Sequence, residues 1–135
     1  MDKISRERRT NNMRKIRSWD TVPELIVRRL VHSMGFRYRL HVASLPGKPD
    51  LVFPRLRRIV EVNGCFWHQH AWCVDSHIPK TRRDYWEPKL VRNQERDLLD
   101  QRMLKSMGWR VLVIWECETS DPNRLKKRVS RFLKE

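Results

Sequence analysis

Cys65, His70 and Cys73 fall close together in the sequence, and Cys117 follows far downstream. Thiolates and imidazoles bind Zn²⁺ tetrahedrally, and three thiolates with one imidazole make a closed structural site rather than a catalytic one. Cys117 taken alone reads as an ordinary buried cysteine. The clustered trio reads as metal-binding, because residues 64–80 hold too few apolar side chains to fold unaided and a bound ion supplies the missing stability. His77 is a competing ligand at looser spacing from Cys73. Three cysteines, an odd number, argue against a disulfide framework.

A second constellation is built from oxygen. Pro49-Asp50 precedes Glu61-Val62-Asn63 by one short hairpin. An Asp and a Glu on paired strands can converge on Mg²⁺, a hard ion that prefers oxygen ligands and keeps several waters. Such an ion polarises a phosphodiester and neutralises a leaving oxygen. The pattern resembles the Pro-Asp…(Asp/Glu)-x-Lys nuclease motif, with Asn63 in the lysine place. Taken alone, Glu61 reads as readily as an exposed strand residue. His68 lies between Cys65 and His70, and an imidazole titrating near neutrality can act as general base or acid. A lone histidine is more often structural; beside a Mg²⁺ site the catalytic reading stands with it.

Phe66, Trp67, Trp72, Tyr85 and Trp86 form an aromatic set, with Trp109 and Trp115 reading as core. Apolar wedges can unstack and kink a duplex; packing over the metal knuckle is the alternative. Lys80, Arg82, Arg83, Lys89 and Arg92 could track phosphates.

These residues need a frame. The chain has 135 residues, the size of one domain, expected to span 1–135. Thirty Lys and Arg against 16 Asp and Glu give a net charge of +14, which favours polyanionic partners. No apolar run approaches the roughly 20 residues that span a bilayer, and the N-terminus lacks the apolar stretch of a signal peptide. A cytoplasmic protein without membrane contact is expected. Residues 1–18 are basic, Arg14 among them, and read as a solvated tail or an arm that orders on DNA phosphates.

Thr21-x-x-Glu24 with Pro23 predicts a helix start, Leu25, Ile26, Leu30 and Val31 its apolar stripe, and Gly35 its stop. Strands are expected at residues 36–40, 50–53 and 58–62, the last two as a hairpin. A long helix should start near Thr81 or Asp84 and run to Met107, with Trp86, Leu90 and Asn93 on one stripe and Leu98, Leu99 and Leu104 further along. Pro88 is tolerable there only near the first turn. Residues 111–115 read as a strand buried on both faces. Asp121 and Pro122 open a last helix with Leu125, Val129, Phe132 and Leu133 inward. The order α-β-β-β-α-β-α predicts an α/β fold, a mixed central sheet flanked by helices.

Through most of its length the chain resembles the very-short-patch repair (Vsr) mismatch endonucleases. The resemblance is carried by Asn12-Met13-Arg14, Ser44-Leu45-Pro46-Gly47-Lys48-Pro49-Asp50, Asn63-Gly64-Cys65-Phe66-Trp67-His68, Pro79-Lys80-Thr81-Arg82, Tyr85-Trp86, residues 93–97, Gly108-Trp109-Arg110-Val111 and Trp115-Glu116-Cys117. It implies a restriction-endonuclease-like fold with a structural zinc, and nicking of one strand of double-stranded DNA beside a T:G mismatch left by deamination of 5-methylcytosine. It also implies a monomer with a functional link to a cytosine-5 DNA methyltransferase. By position, Asp50 matches the Mg²⁺-binding aspartate, Val62 the residue offering its carbonyl to Mg²⁺, His68 the catalytic histidine, and Glu24 a supporting acid. Asp97 falls where a further acid would orient His68. Cys65, His70, Cys73 and Cys117 match zinc ligands, and Phe66, Trp67 and Trp86 the wedge. Asn63 departs from the pattern, which has histidine there, and Glu61 adds a carboxylate. The segment between His70 and Cys73 is one residue longer. A related homing- or restriction-type nuclease with another target, or a silent zinc-stapled DNA-binding module, are the competing expectations.

Overall fold

The structure, a computed structural model, describes residues 20–135. The basic arm of residues 1–18, with Arg14, lies outside the described residues. Among the described residues three helices and four strands follow in the expected order: α1 (Val22–Ser33), β1 (Arg39–Leu40), β2 (Leu51–Phe53), β3 (Arg58–Asn63), α2 (Arg83–Ser106), β4 (Arg110–Trp115) and α3 (Pro122–Lys134). Short 3-10 turns at Val74–Ser76 and Glu116–Ser120 interrupt the connections.

The sheet is mixed, in the order β1-β2-β3-β4. β2 and β3 form the expected antiparallel hairpin, with Phe53 opposite Arg58. β4 runs parallel to β3, so the connection between them must cross back along the sheet, and it carries α2. On one face, Val27 and Val31 of α1 and Leu125, Val129 and Leu133 of α3 bury Leu51, Phe53, Val60, Val62 and Ile114. On the other, Leu104 of α2 packs with Val52, Ile59 and Trp109.

Local chemistry accounts for the helix ends. Thr21 Oγ1 accepts the Glu24 N–H at 3.3 Å, and Asp121 accepts the Arg124 N–H at 3.2 Å, each filling an otherwise unpaired donor of a first turn. Gly35, at φ +90°, follows α1 in the left-handed conformation that glycine adopts without strain.

Several expectations are corrected. The first strand shrinks to Arg39–Leu40. Phe36 and Tyr38 instead turn edge-on to Phe53, at 6.4 and 6.1 Å between ring centroids, which rewards packing over ladder pairing. In α1 the inward positions are Glu24, Val27 and Val31, while Leu25 and Ile26 face out. In α2 Leu90 and Leu104 are buried, whereas Leu98 and Leu99 are exposed. Between the two buried leucines the partly buried positions are Asn93, Asp97, Asp100 and Gln101. α2 begins at Arg83, between the two expected starts, and Pro88, its sixth residue, lies just past the first turn and forgoes the bond to the Asp84 carbonyl. Among the described residues β4 is an edge strand, and within it only Ile114 is fully buried. After the exposed Arg110 its residues 111–115 are apolar, and Leu112 and Ile114 join one core cluster while Val111 packs against the other.

The two faces of α2 make a direct test. Leu104→Ala should lower unfolding free energy by about 2–5 kcal/mol, the range for a buried leucine, whereas Leu99→Ala should stay within about 0.5 kcal/mol. Urea denaturation measures both, and equal costs would reverse the assignment of the inward face.

Candidate active site and metal centre

The β2–β3 register, Leu51 opposite Val60, places Asp50 opposite Glu61 when continued by one residue. Asp50 is held there by its own carboxylate, whose Oδ2 accepts the Val62 N–H at 2.7 Å. Side chains on alternate strand positions share a face, so Glu61 and Asn63 turn to the side covered by α2. Glu24 from α1 and Asp97 from α2 complete the wall of a cavity of about 680 Å³ that Asp50, Glu61, Asn63 and His68 also line. His68 Nδ1 lies 2.5 Å from Asp97 Oδ2. That contact orients the ring and leaves Nε2 as its other polar atom.

The acids raise one another. Burial, then the charge of Glu24, pushes the Asp50 carboxyl up to about 7, against the opposing Val62 hydrogen bond. Burial, then Asp97, pushes Glu61 up to about 7, with His68 opposing. Asp100 is raised by burial and then by Asp97. Gly47, at φ +76°, lets the loop before Asp50 pass close to Asp100: a Cβ there would meet Asp100 Oδ2 at 2.8 Å. Carboxylates crowded in a partly buried cavity favour a bound cation, since a positive charge nearby stabilises their ionised forms.

A separate group sits beyond β3 and β4. Cys65, His70, Cys73 and Cys117 bring one ligand atom each within 4.8 Å of one another and could hold a metal ion. Nδ1 is the imidazole atom that faces the thiols, 3.7 Å from Cys65 Sγ and 3.5 Å from Cys117 Sγ. His77, the competing ligand, is not in the group. The His70 ring stacks on Trp115 at 4.2 Å and 11°. Glu116 Oε1 accepts the Cys65 N–H at 3.3 Å, and Gln69 Nε2 donates to the carbonyls of Phe66 and Ser76. Gln69 and Trp72 adopt positive φ, uncommon for such residues, as the chain winds around this group. Burial pushes the Cys65 thiol up to about 12, so metal uptake there must release protons.

Phe66, Trp67 and Trp86 pack edge to face at 5.1, 5.4 and 5.6 Å, forming a partly buried aromatic cluster rather than an exposed pair. Asn93 Nδ2 donates to the Trp67 carbonyl at 3.3 Å, tying the cluster to α2. Lys89 Nζ lies about 6 Å from the rings of Trp67, Tyr85 and Trp86. Lys80 is exposed, and the Arg82 guanidinium covers Tyr85 at 4.7 Å. A second cavity, about 820 Å³, shares Trp67, His68, Arg96 and Asp97 with the first. Trp72 is fully exposed. Trp109 is buried in the core beside Val52 and Ile59, as expected; Trp115, expected in the core, is only partly buried and lies against the His70 ring instead.

The structure thus gathers Glu24, Asp50, Glu61, Val62, His68 and Asp97 at one cavity. The motif reading missed His41, whose Nδ1 is 3.7 Å from Asp50 Oδ1, and Arg28, which contacts Glu24 at 2.8 Å. It also missed Asp100 at the cavity wall. Arg28 stands four residues after Glu24 and Asp100 three after Asp97, helix spacings that bring each pair onto one face; His41 reaches Asp50 only through the fold.

A sequence model described as "DNA mismatch endonuclease Vsr" matches residues 1–74. This chain belongs to the Vsr family. The Type II nicking enzyme V.XorIIP of Xanthomonas oryzae pv. oryzae is 48% identical over 132 residues, 98% of this chain and 96% of the relative. The Type II nicking enzyme V.NmeAIP of Neisseria meningitidis is 37% identical over 99% of this chain and 95% of its own length. DNA mismatch endonuclease Vsr of Escherichia coli is 42% identical over 81% of this chain and 69% of its own length. As a member of the Vsr family the chain is a DNA endonuclease. Among the described residues no helix is long and apolar enough to cross a membrane.

Raised carboxyl pKa values have a measurable consequence. Between about pH 4 and 7 the folded Vsr-family chain keeps a proton on Asp50 that the unfolded chain has released. Its contribution therefore falls as pH rises through that window and is least favourable above about 7. Without added divalent cation, Asp50→Asn should raise Tm at pH 8 and leave it nearly unchanged at pH 4. Destabilisation at pH 8 would show that buried charge is not the strain on Asp50.

Proposed function

We propose that this chain is a Mg²⁺-dependent endonuclease of restriction-endonuclease-like fold that nicks one strand of double-stranded DNA at T:G mismatches. The observation that carries the reading is the meeting of Asp50, Glu61 and the His68–Asp97 pair in one cavity, beside the Phe66–Trp67–Trp86 cluster.

The donors suit the ion. Asp50, Glu61 and the Val62 carbonyl offer the hard oxygens that Mg²⁺ takes, and two of them are carboxyls pushed up to about 7. When bound, Mg²⁺ supplies Lewis-acid polarisation of the scissile phosphate and charge for the leaving oxygen. The protein's own part is positioning and proton transfer. Asp97 holds Nδ1 of His68, so Nε2 takes the proton from the attacking water as its oxygen bonds to phosphorus. Glu24 supports Asp50 from α1.

Zinc suits the other group. Tetrahedral Zn²⁺ with ordinary bond lengths separates sulfur and nitrogen ligands by about 3.5 Å, close to the two Sγ···Nδ1 distances. Cys65, His70, Cys73 and Cys117 then act as a staple that holds residues 66–68 in place. Phe66, Trp67 and Trp86 would enter the base stack at the mismatch, where a poorly stacked step opens at lower cost. Lys80 and Arg82, with Arg14 of the N-terminal arm, would contact phosphates. The domain is read as a single unit over 1–135, a cytoplasmic monomer working alongside a cytosine-5 DNA methyltransferase.

Nicking of T:G-mismatched and matched duplexes in Mg²⁺ tests the proposal. Preference for the mismatch is expected, and equal cleavage would transfer the chain to a related nuclease with another target. His68→Ala should lower kcat by about 10²–10⁴-fold, the range for a lost general base, with folding retained. Cys117→Ala should abolish bound zinc, measured by elemental analysis; undiminished zinc would remove Cys117 from the staple.

A further inference from the structure

Beside Asp50 lies a second set of donors. Asp20, Glu24 and His41 each offer one ligand atom, all within 4.8 Å of one another, an arrangement able to hold a metal ion. Its centre is taken by a side chain. Arg28 Nη2 is 2.6 Å from Asp20 Oδ1, 2.8 Å from Glu24 Oε2 and 3.0 Å from His41 Nε2. The Arg28 side chain is 11% exposed and that of Glu24 4%, so their pairing is shielded from water. The Arg28 Nε–H is buried and has no hydrogen-bond partner among the described residues. Its guanidinium is therefore seated by the contacts of Nη2 rather than by a full set of bonds.

The contact with His41 has a directional consequence. A guanidinium is always protonated and donates only. Nε2 of a neutral His41 must then accept, which puts the ring proton on Nδ1. That atom is the one 3.7 Å from Asp50 Oδ1. One cation thus ties two acids of the α1 end to the imidazole facing Asp50, whose other oxygen is held by the Val62 N–H.

We propose that Arg28 is a built-in cation of the active site: it fills the Asp20–Glu24–His41 donor set in place of a divalent ion and, through His41, positions the Asp50 carboxylate. This rests on the reading of Asp50 as the Mg²⁺ ligand. Arg28 is a positioning residue. It supplies a fixed positive charge without needing an ion from solution, and leaves the catalytic divalent site to Asp50 and its neighbours. Glu24 is committed to the guanidinium and supports Asp50 indirectly.

Calorimetric titration of the zinc-loaded full chain with Mn²⁺ tests this, with Tm recorded on the same samples. The parent should bind one Mn²⁺. Arg28→Met should bind two, and adding Asp20→Asn should return the count to one. Arg28→Gln offers a second route to the same gain, should the Met variant fold poorly. One Mn²⁺ in folded Arg28→Met and Arg28→Gln would overturn the proposal. A parent that binds two and loses one on Asp20→Asn alone would overturn it without any change at Arg28. The reading of Asp50 fails separately: Asp50→Asn would then leave the parent's count unchanged.

Discussion

Along β3 and β4 the backbone ladder runs parallel from Arg58 opposite Arg110 to Asn63 opposite Trp115, so both strands leave the sheet at the same end. Whatever follows one strand lands beside whatever follows the other. Cys65 is two residues beyond Asn63 and Cys117 two beyond Trp115, which is how thiols 52 positions apart in sequence come into one group. The same end receives His68, and the hairpin partner of β3 delivers Asp50 to it. In open α/β sheets the carboxyl ends of strands are where loops converge and sites form. Loss of this pairing would disperse the thiols and the carboxylates together.

The site asks the fold to tolerate an unfavourable charge distribution. Asp50 and Glu61 are held where burial and neighbouring acids oppose their ionisation. Unpaired buried charge is destabilising, and each such group needs a partner, a proton or an ion. The structure uses several solutions. Val62 donates to Asp50, His68 faces Asp97, and Arg28 sits among Asp20, Glu24 and His41. The inner face of α2 shows the same compromise: Leu90 and Leu104 are buried, while Asn93, Asp97 and Asp100 occupy the stretch between and line the two cavities. A helix built this way gives up burial in its middle so that acids can face one another.

The aromatic cluster and the cysteine–histidine group are mechanically joined. Phe66 and Trp67 follow Cys65 directly, and the carbonyl of Phe66 is bonded to Gln69 inside the knuckle. Trp86 and Asn93 hold the cluster from α2. Three rings packed edge to face therefore stand on two independent supports, beside the imidazole of His68. The aromatic cluster and His68 share one short segment, so a displacement of one moves the other.

Much of the architecture is legible from the amino-acid order alone. Thr21, Gly35, Asp121 and Pro122 mark helix ends because capping depends on neighbours a few residues away. The hairpin around residues 54–57 and the order of elements follow from the same local rules. The clustering of Cys65, His70 and Cys73, and the Gly-Cys-Phe-Trp-His string, point to a metal-stapled member of the Vsr family before any coordinates are considered. Periodicity placed Val31 of α1 and Leu90 and Leu104 of α2 inward, and failed at Leu25, Ile26, Leu98 and Leu99. A hydrophobic stripe predicts the buried face only where the neighbour is apolar, and there the neighbour is the site. Glu24, Asp97 and Asp100 accordingly face inward while Leu25, Leu98 and Leu99 face out. His41 and Arg28 carried no motif. Local sequence determined which elements form, where they end and that Arg28 lies one helical turn from Glu24; tertiary packing alone decided which acids share a cavity and that His41 faces Asp50, because electrostatic pairing depends on distance through space rather than along the chain.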